Sequence, residues 1–314
     1  MATYKESVGT SVTNFSGDYP GAVEGEVWYD TTDQVFKLKA VTTTSVWTTS
    51  ANLNTGRQFL QGAGVNSTAA LVFGGQPSTA VTESYNGTAW TEVNDLGTAR
   101  YGGVGFGTQT AALASGGDGA GGNTELWNGT NWTEVNNSNA NKYQAASANG
   151  TTSAGLVFGG SGVTAATESW NGTNWTELND LNVARRESGG AGISTSALCF
   201  GTPVPSGLTE SWNGTNWTAV NTMNTGRETP GGGGFSNTDV LAFGGNAGGS
   251  TGENETWNGS SWTVVSYSMN TGRYKMSGQG STTSALAAGG TPSTTATEEF
   301  NGAGTPATRT ITTS

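Results

Sequence analysis

Twelve residues are written five times along this chain with small changes: "TESYNGTAWTEV" from Thr82, "TELWNGTNWTEV" from Thr124, "TESWNGTNWTEL" from Thr167, "TESWNGTNWTAV" from Thr209 and "NETWNGSSWTVV" from Asn254. Repetition at this scale means units that cannot bury their apolar faces alone and must stack on copies of themselves. A short apolar run ending in glycine marks six units, at Gly74, Gly116, Gly159, Gly201, Gly244 and Gly289, spaced by 42, 43, 42, 43 and 45 residues. In each unit an aromatic follows a glutamate by two positions: Tyr85, Trp127, Trp170, Trp212, Trp257 and Phe300. A tryptophan stands five residues further on in the first five units, at Trp90, Trp132, Trp175, Trp217 and Trp262.

Each unit reads as four short strands separated by Gly, Asn and Ser/Thr turns, with no sustained helical period. Asn-Gly between extended segments favours a hairpin, because both residues tolerate positive φ. A two-residue loop at Asn171-Gly172 would set Trp170 opposite Thr173, and a four-residue loop would set it opposite Trp175. Either register places both rings on one face of the sheet, where a neighbouring sheet must cover them. The expected fold is all-β, a six-bladed β-propeller of four-stranded antiparallel blades.

The sixth unit lacks its second tryptophan, since "NGAGTPATRTITTS" follows Phe300. The missing marks stand near the N-terminus, where Trp47 precedes Arg57 by the same ten residues that separate Trp217 from Arg227. The strand near Trp47 is therefore expected to complete the last blade and close the ring, leaving no raw edge. The expected domains are a 1–45 N-terminal attachment segment containing a β-hairpin and a 46–314 propeller. Counting Trp47, ten of the eleven tryptophans hold repeat positions, and Trp28 alone does not.

A double glycine, an aromatic, a tryptophan and an arginine in this order resemble the kelch repeat over Trp47 to Phe300. WD40 repeats fit less well, because the chain has neither histidine nor a Trp-Asp pair. The tighter turn and uniform short period are similar to kelch-like proteins of tailed-phage virions. The front segment "GAVEGEVWYDTTDQVFKLK", Gly21 to Lys39, resembles the attachment segment of phage fibre and appendage proteins. The resemblance implies a virion protein of tail-fibre type: the front segment docks on other virion proteins, and the propeller is displayed towards a host-surface glycan or receptor. It also implies a homo-oligomer in the virion.

Composition narrows the chemistry. Without histidine, Ser-His-Asp, Cys-His and His-metal sites are excluded. A net charge of −11 disfavours nucleic acid and anionic membranes. The single cysteine, Cys199, lies in an apolar run and reads as core. "GGDGAGGNTE" around Asp118 lacks the alternating acidic ligands of a calcium loop, so neither metal nor cofactor is expected. The Asn-Gly-Thr sequons at Asn86, Asn128, Asn171 and Asn213 read as turns. No apolar signal core opens the chain and no stretch reaches transmembrane length, so synthesis in a host cytoplasm and release by lysis are expected.

Two sets of residues are candidates for function. Six glutamates, Glu83, Glu125, Glu168, Glu210, Glu255 and Glu298, recur with six cations, Arg57, Arg100, Lys142, Arg185, Arg227 and Arg273. Their sixfold identity favours inter-blade ties over a binding ring. Recognition is expected where repeats differ, in the loops holding Gln76, Asp118, Ser161, Pro203, Asn246 and Thr291. Trp28 and Tyr29 are expected as the virion or oligomer contact. Three further readings stand beside the appendage: a capsid or neck decoration protein without receptor role, a polysaccharide-degrading enzyme using a carboxylate pair, and a cytoplasmic interaction propeller.

Overall fold

The computed structural model describes residues 13–17, 19, 26–40, 45–201, 207–302 and 307–311. The chain divides into two units, Val46–Asn301 and a smaller one formed by Met1–Ser45 with Gly302–Ser314.

The larger unit contains six antiparallel four-stranded blades. Blade one is Gln61–Asn66, Ala69–Phe73, Thr82–Tyr85 and Trp90–Val93, and blade two is Val104–Gly107, Ala112–Ser115, Thr124–Trp127 and Trp132–Val135. Blade three is Ala146–Ser147, Gly155–Phe158, Thr167–Trp170 and Trp175–Glu177, and blade four is Gly189–Ile193, Ser196–Phe200, Thr209–Trp212 and Trp217–Val220. Blade five is Gly231–Ser236, Asp239–Phe243, Asn254–Trp257 and Trp262–Val265. Blade six takes Ser277–Gly280, Ser284–Ala288 and Thr297–Asn301, and its outer strand is Val46–Thr49 from the other end of the chain. Phe300 pairs with Trp47, so the ring closes by strand exchange. The six inner strands lie side by side around an axis, blade one touching both two and six.

Crowding at that axis explains the glycine-rich first strands. A Cβ on Gly190 would lie 2.3 Å from the Ser147 carbonyl oxygen of the neighbouring blade. Further out, the paired aromatics face each other across a four-residue loop, Trp170 opposite Trp175. Asn171 Oδ1 holds that loop by accepting from the Thr173 and Asn174 amides at 2.9 and 2.8 Å, with Gly172 at φ +94°. The sequon asparagines are thus occupied as turn caps. The six ring pairs sit 4.8–5.5 Å apart. A phenylalanine of the preceding blade covers several of them, as Phe158 covers Trp217 at 4.8 Å.

The outer tryptophan also ties blades by a hydrogen bond. Its Nε1 donates to the threonine that opens the third strand of the preceding blade: Trp90 to Thr297, Trp132 to Thr82, Trp175 to Thr124, Trp217 to Thr167 and Trp262 to Thr209, all at 3.0–3.2 Å. The sixth tie fails, because blade five carries Asn254 at this position. Trp47 Nε1 and both amide atoms of the fully buried Asn254 have no partner. Unpaired buried groups cost about 1–3 kcal/mol each. Asn254→Thr is therefore expected to raise stability by about 1–3 kcal/mol, read as a higher melting temperature. A lower one would show that the asparagine is serving another bond.

The smaller unit holds the expected hairpin, Val27–Asp30 with Val35–Ala40. Its turn is capped by Asp30, whose Oδ1 accepts from the Thr32 amide at 2.8 Å and the Gly17 amide at 2.9 Å. Lys37, 2.6 Å away, holds the Asp30 carboxyl well below the usual carboxylate range. Two strands flank the hairpin: Thr13–Phe15 runs parallel to one arm and Ala307–Ile311 antiparallel to the other. The 46–314 boundary thus needs correction, because 302–314 leave the propeller for this unit. With Val46–Thr49 as the outer strand, blade six already has its fourth strand, and the tail pairs with the open hairpin edge instead.

Candidate functional site at the axial mouth

The recurrent glutamates and cations meet as pairs: Arg57 with Glu83 at 2.7 Å, Arg273 with Glu298 at 3.0 Å, and likewise Arg100 with Glu125, Lys142 with Glu168, Arg185 with Glu210 and Arg227 with Glu255. Every member is at most 2% exposed. Each cation lies in the segment entering a blade and reaches that blade's third strand. Arg57 Nη1 also donates to the Gly74 and Val81 carbonyls, both at 2.7 Å, while its own carbonyl accepts from Gly290 of blade six. The glutamates accept from the same entering segments, as Glu210 does from the Asn182 amide at 2.7 Å. Burial pulls the Arg57, Arg100 and Arg273 guanidinium values down, against the partner carboxylates that hold them charged. These pairs are closed to solvent and tie the segment entering each blade to that blade's third strand. Cys199 is likewise fully buried, and burial pushes its thiol up.

Two residues beyond each cation the backbone turns left-handed: Phe59 at φ +53°, Gly102 at +65°, Gln144 at +57°, Glu187 at +57°, Thr229 at +46° and Lys275 at +56°. These six surround the axis on one face. Backbone bonds link them in a circle: Phe59 N–H to Lys275 O at 2.6 Å, Gly102 to Phe59 at 2.9 Å, Gln144 to Gly102 at 2.6 Å, Glu187 to Gln144 at 2.9 Å and Thr229 to Glu187 at 2.6 Å. The sixth link, from Lys275 N–H to the Thr229 carbonyl, is not made, and Thr229 Oγ1 is buried without a partner. Thr229 is β-branched, so its positive φ stores roughly 1–3 kcal/mol of strain.

A cavity of about 110 Å³ opens inside this circle, lined by Phe59, Gln144, Glu187, Thr229 and Lys275 among others. Below it, the inner strands of all six blades line a further space of about 130 Å³. Asn149 crosses towards the opposite side of the axis, its Nδ2 donating to the Gly234 and Gly280 carbonyls at 2.8 and 3.4 Å. Aromatic, polar and charged side chains meet at the mouth. Phe59 packs on Tyr101 at 6.1 Å and Tyr101 on Tyr143 at 5.6 Å, while Lys275 Nζ stands 4.5 Å from the Phe59 ring centroid. Across from them, Gln144 Nε2 donates to Glu187 Oε1 at 2.6 Å. Burial, with Glu228 nearby, pushes the Glu187 carboxyl up.

The loop residues expected to bind lie directly behind this circle. Gln76 pairs with Gln58, Asp118 with Tyr101, Asn246 with Glu228 and Thr291 with Tyr274 as backbone bridges, and Ser161 N–H donates to the Tyr143 carbonyl at 2.6 Å. Pro203 lies outside the described residues. Sequence reasoning missed the mouth itself. Its signal was present: the column two places after the most regular cation holds six different residues.

Trp28 does not face outward. It is fully buried, edge-on to Tyr19 at 6.4 Å, with Nε1 donating to the Gly17 carbonyl at 3.3 Å. The reason is the extra strand Thr13–Phe15, which carries aromatic cover to that face. Tyr29 is half-buried and packs edge-on against Phe36 at 5.1 Å, and Phe36 is 42% exposed.

These features define a six-bladed β-propeller with a funnel-like axial mouth. No family model and no curated protein matches the chain. Among solved structures it is similar to that of YjhT, with a TM-score of 0.63 and 11% identity over 83% of this chain and 99% of that one. At that identity the likeness is one of fold.

Proposed function

We propose that this chain is a non-enzymatic virion protein of appendage type, whose smaller unit docks on other virion proteins and whose propeller recognises a host-surface ligand at the axial mouth. One observation carries the recognition role: on a scaffold that repeats its core, ties and turns, six residues that share a backbone conformation but differ in side chain line one cavity. Varied side chains on a fixed frame are how scaffolds specify ligands. The docking role rests on the likeness of Gly21–Lys39 to phage attachment segments, and the exposed Phe36, packed on half-buried Tyr29, supplies aromatic contact area.

Purified particles carrying the chain, labelled with gold antibodies, are expected to show it on the tail, and added soluble protein should slow adsorption to host cells. Label over the capsid shell, without competition, would instead make it a decoration protein. A second reading has one specific support, the Glu187 carboxyl at the mouth, pushed up by burial and by the neighbouring Glu228. Polysaccharide cleavage there would release reducing ends and be lost in Glu228→Gln.

A further inference from the structure

The circle of backbone bonds at the mouth is broken at one point, between Thr229 and Lys275. The break gathers a carbonyl oxygen that lacks its ring donor, an N–H that lacks its ring acceptor, and the unpaired Thr229 hydroxyl. A group that completes the circle must donate to the carbonyl and accept from the N–H at once. Water and an alcohol hydroxyl do both, and the alcohol can bring a ring to the cavity with it; a carboxylate only accepts and an ammonium only donates. The Phe59 ring lines the same cavity as Thr229 and Lys275, and Lys275 Nζ stands over it and over the Tyr274 ring, 4.5 and 5.0 Å from their centroids. Lys275 and Arg186 are offset by Glu187 and Glu228, so these charges leave no positive excess for an anion. A ligand enters from this face, because Asn149 bridges the inner wall at the far side.

We propose that the break binds one hydroxyl of a neutral pyranose, the end residue of a glycan, with the sugar ring in the cavity beside Phe59. This deepens the recognition reading given above and rests on it. The strain at Thr229 fits the assignment. A glycine there would relieve the backbone, and threonine keeps its hydroxyl at the break despite the cost.

The test uses the full chain with the methyl glycosides of glucose, galactose, mannose and N-acetylglucosamine, and methyl glucuronide as the anionic comparison. Binding is read by saturation-transfer NMR and titration. At least one neutral glycoside is expected to bind, with the glucuronide at least tenfold weaker than its neutral counterpart. Thr229→Ser should bind like the parent, and Thr229→Val at least tenfold more weakly. Thr229→Gly should lose binding while melting at the same or a higher temperature, which a merely structural threonine would not do. Absence of transfer to every neutral glycoside, preference for the glucuronide, or unchanged binding in both Thr229→Val and Thr229→Gly would overturn the proposal. The particle experiment fails separately: a chain that binds glycosides but is missing from particles keeps this site and loses the virion role.

Discussion

Removing residues 1–50 is expected to abolish the cooperative unfolding of the propeller and to leave an aggregating protein. The deletion takes Val46–Thr49 from blade six and exposes the pairing edge of Thr297–Asn301. It also takes Trp47, only 5% exposed and packed on Phe243 at 4.9 Å and Phe300 at 5.3 Å. Losing that side chain alone costs about 3–5 kcal/mol, a large share of the roughly 5–15 kcal/mol that holds a native protein. The open edge then invites pairing with another chain. Calorimetry and light scattering read the outcome. Deleting 1–44 is the control, since it spares the strand and should keep the propeller's transition. A soluble 1–50 deletion melting like the parent would show that blade six stands on three strands.

Glu210→Ala is expected to destabilise by about 3–5 kcal/mol, because it strands a buried cation. Arg185 loses its carboxylate, and the Asn182 amide, the Asn182 side chain and the Val183 amide lose their acceptor together. Glu168→Ala should cost less, since its recorded donors are Lys142 and the Asn139 amide. Chemical denaturation of both variants checks the size and the order. Sugar binding by the folded fraction should be unchanged, because neither pair lines the mouth. A Glu210→Ala protein that melts like the parent and has lost its ligand would make the pairs a binding ring instead.

Much of this architecture could be read before any coordinate was known, because repetition turns a folding problem into an alignment. Each apolar run, aromatic pair and cation recurs in register, so Trp47 and Arg57 identified the strand that closes the ring. The glutamate–cation ties were legible for the same reason. What repetition could not supply lies where the chain is unique. Nothing periodic marked Thr13–Phe15 or Ala307–Ile311 as partners of the hairpin, so Trp28 looked free when it is buried. The mouth was hidden differently. The eye follows columns that agree, and Phe59, Gly102, Gln144, Glu187, Thr229 and Lys275 share a backbone conformation without sharing a side chain.

The exchanged strand also sets an order of events in time. Val46–Thr49 leaves the ribosome long before Thr297–Asn301, the strand it pairs with. The earliest piece of the propeller to be made is the last to be placed, and until then the nascent blades form an arc with two sticky ends. Closure spans some two hundred and fifty residues of chain, the kind of distant pairing that slows folding. During that wait a second copy can offer its own Val46–Thr49 to the vacant edge, an exchange of identical elements that yields joined pairs of rings. Crowded synthesis would favour such pairs, whereas dilute refolding would favour the single closed circle.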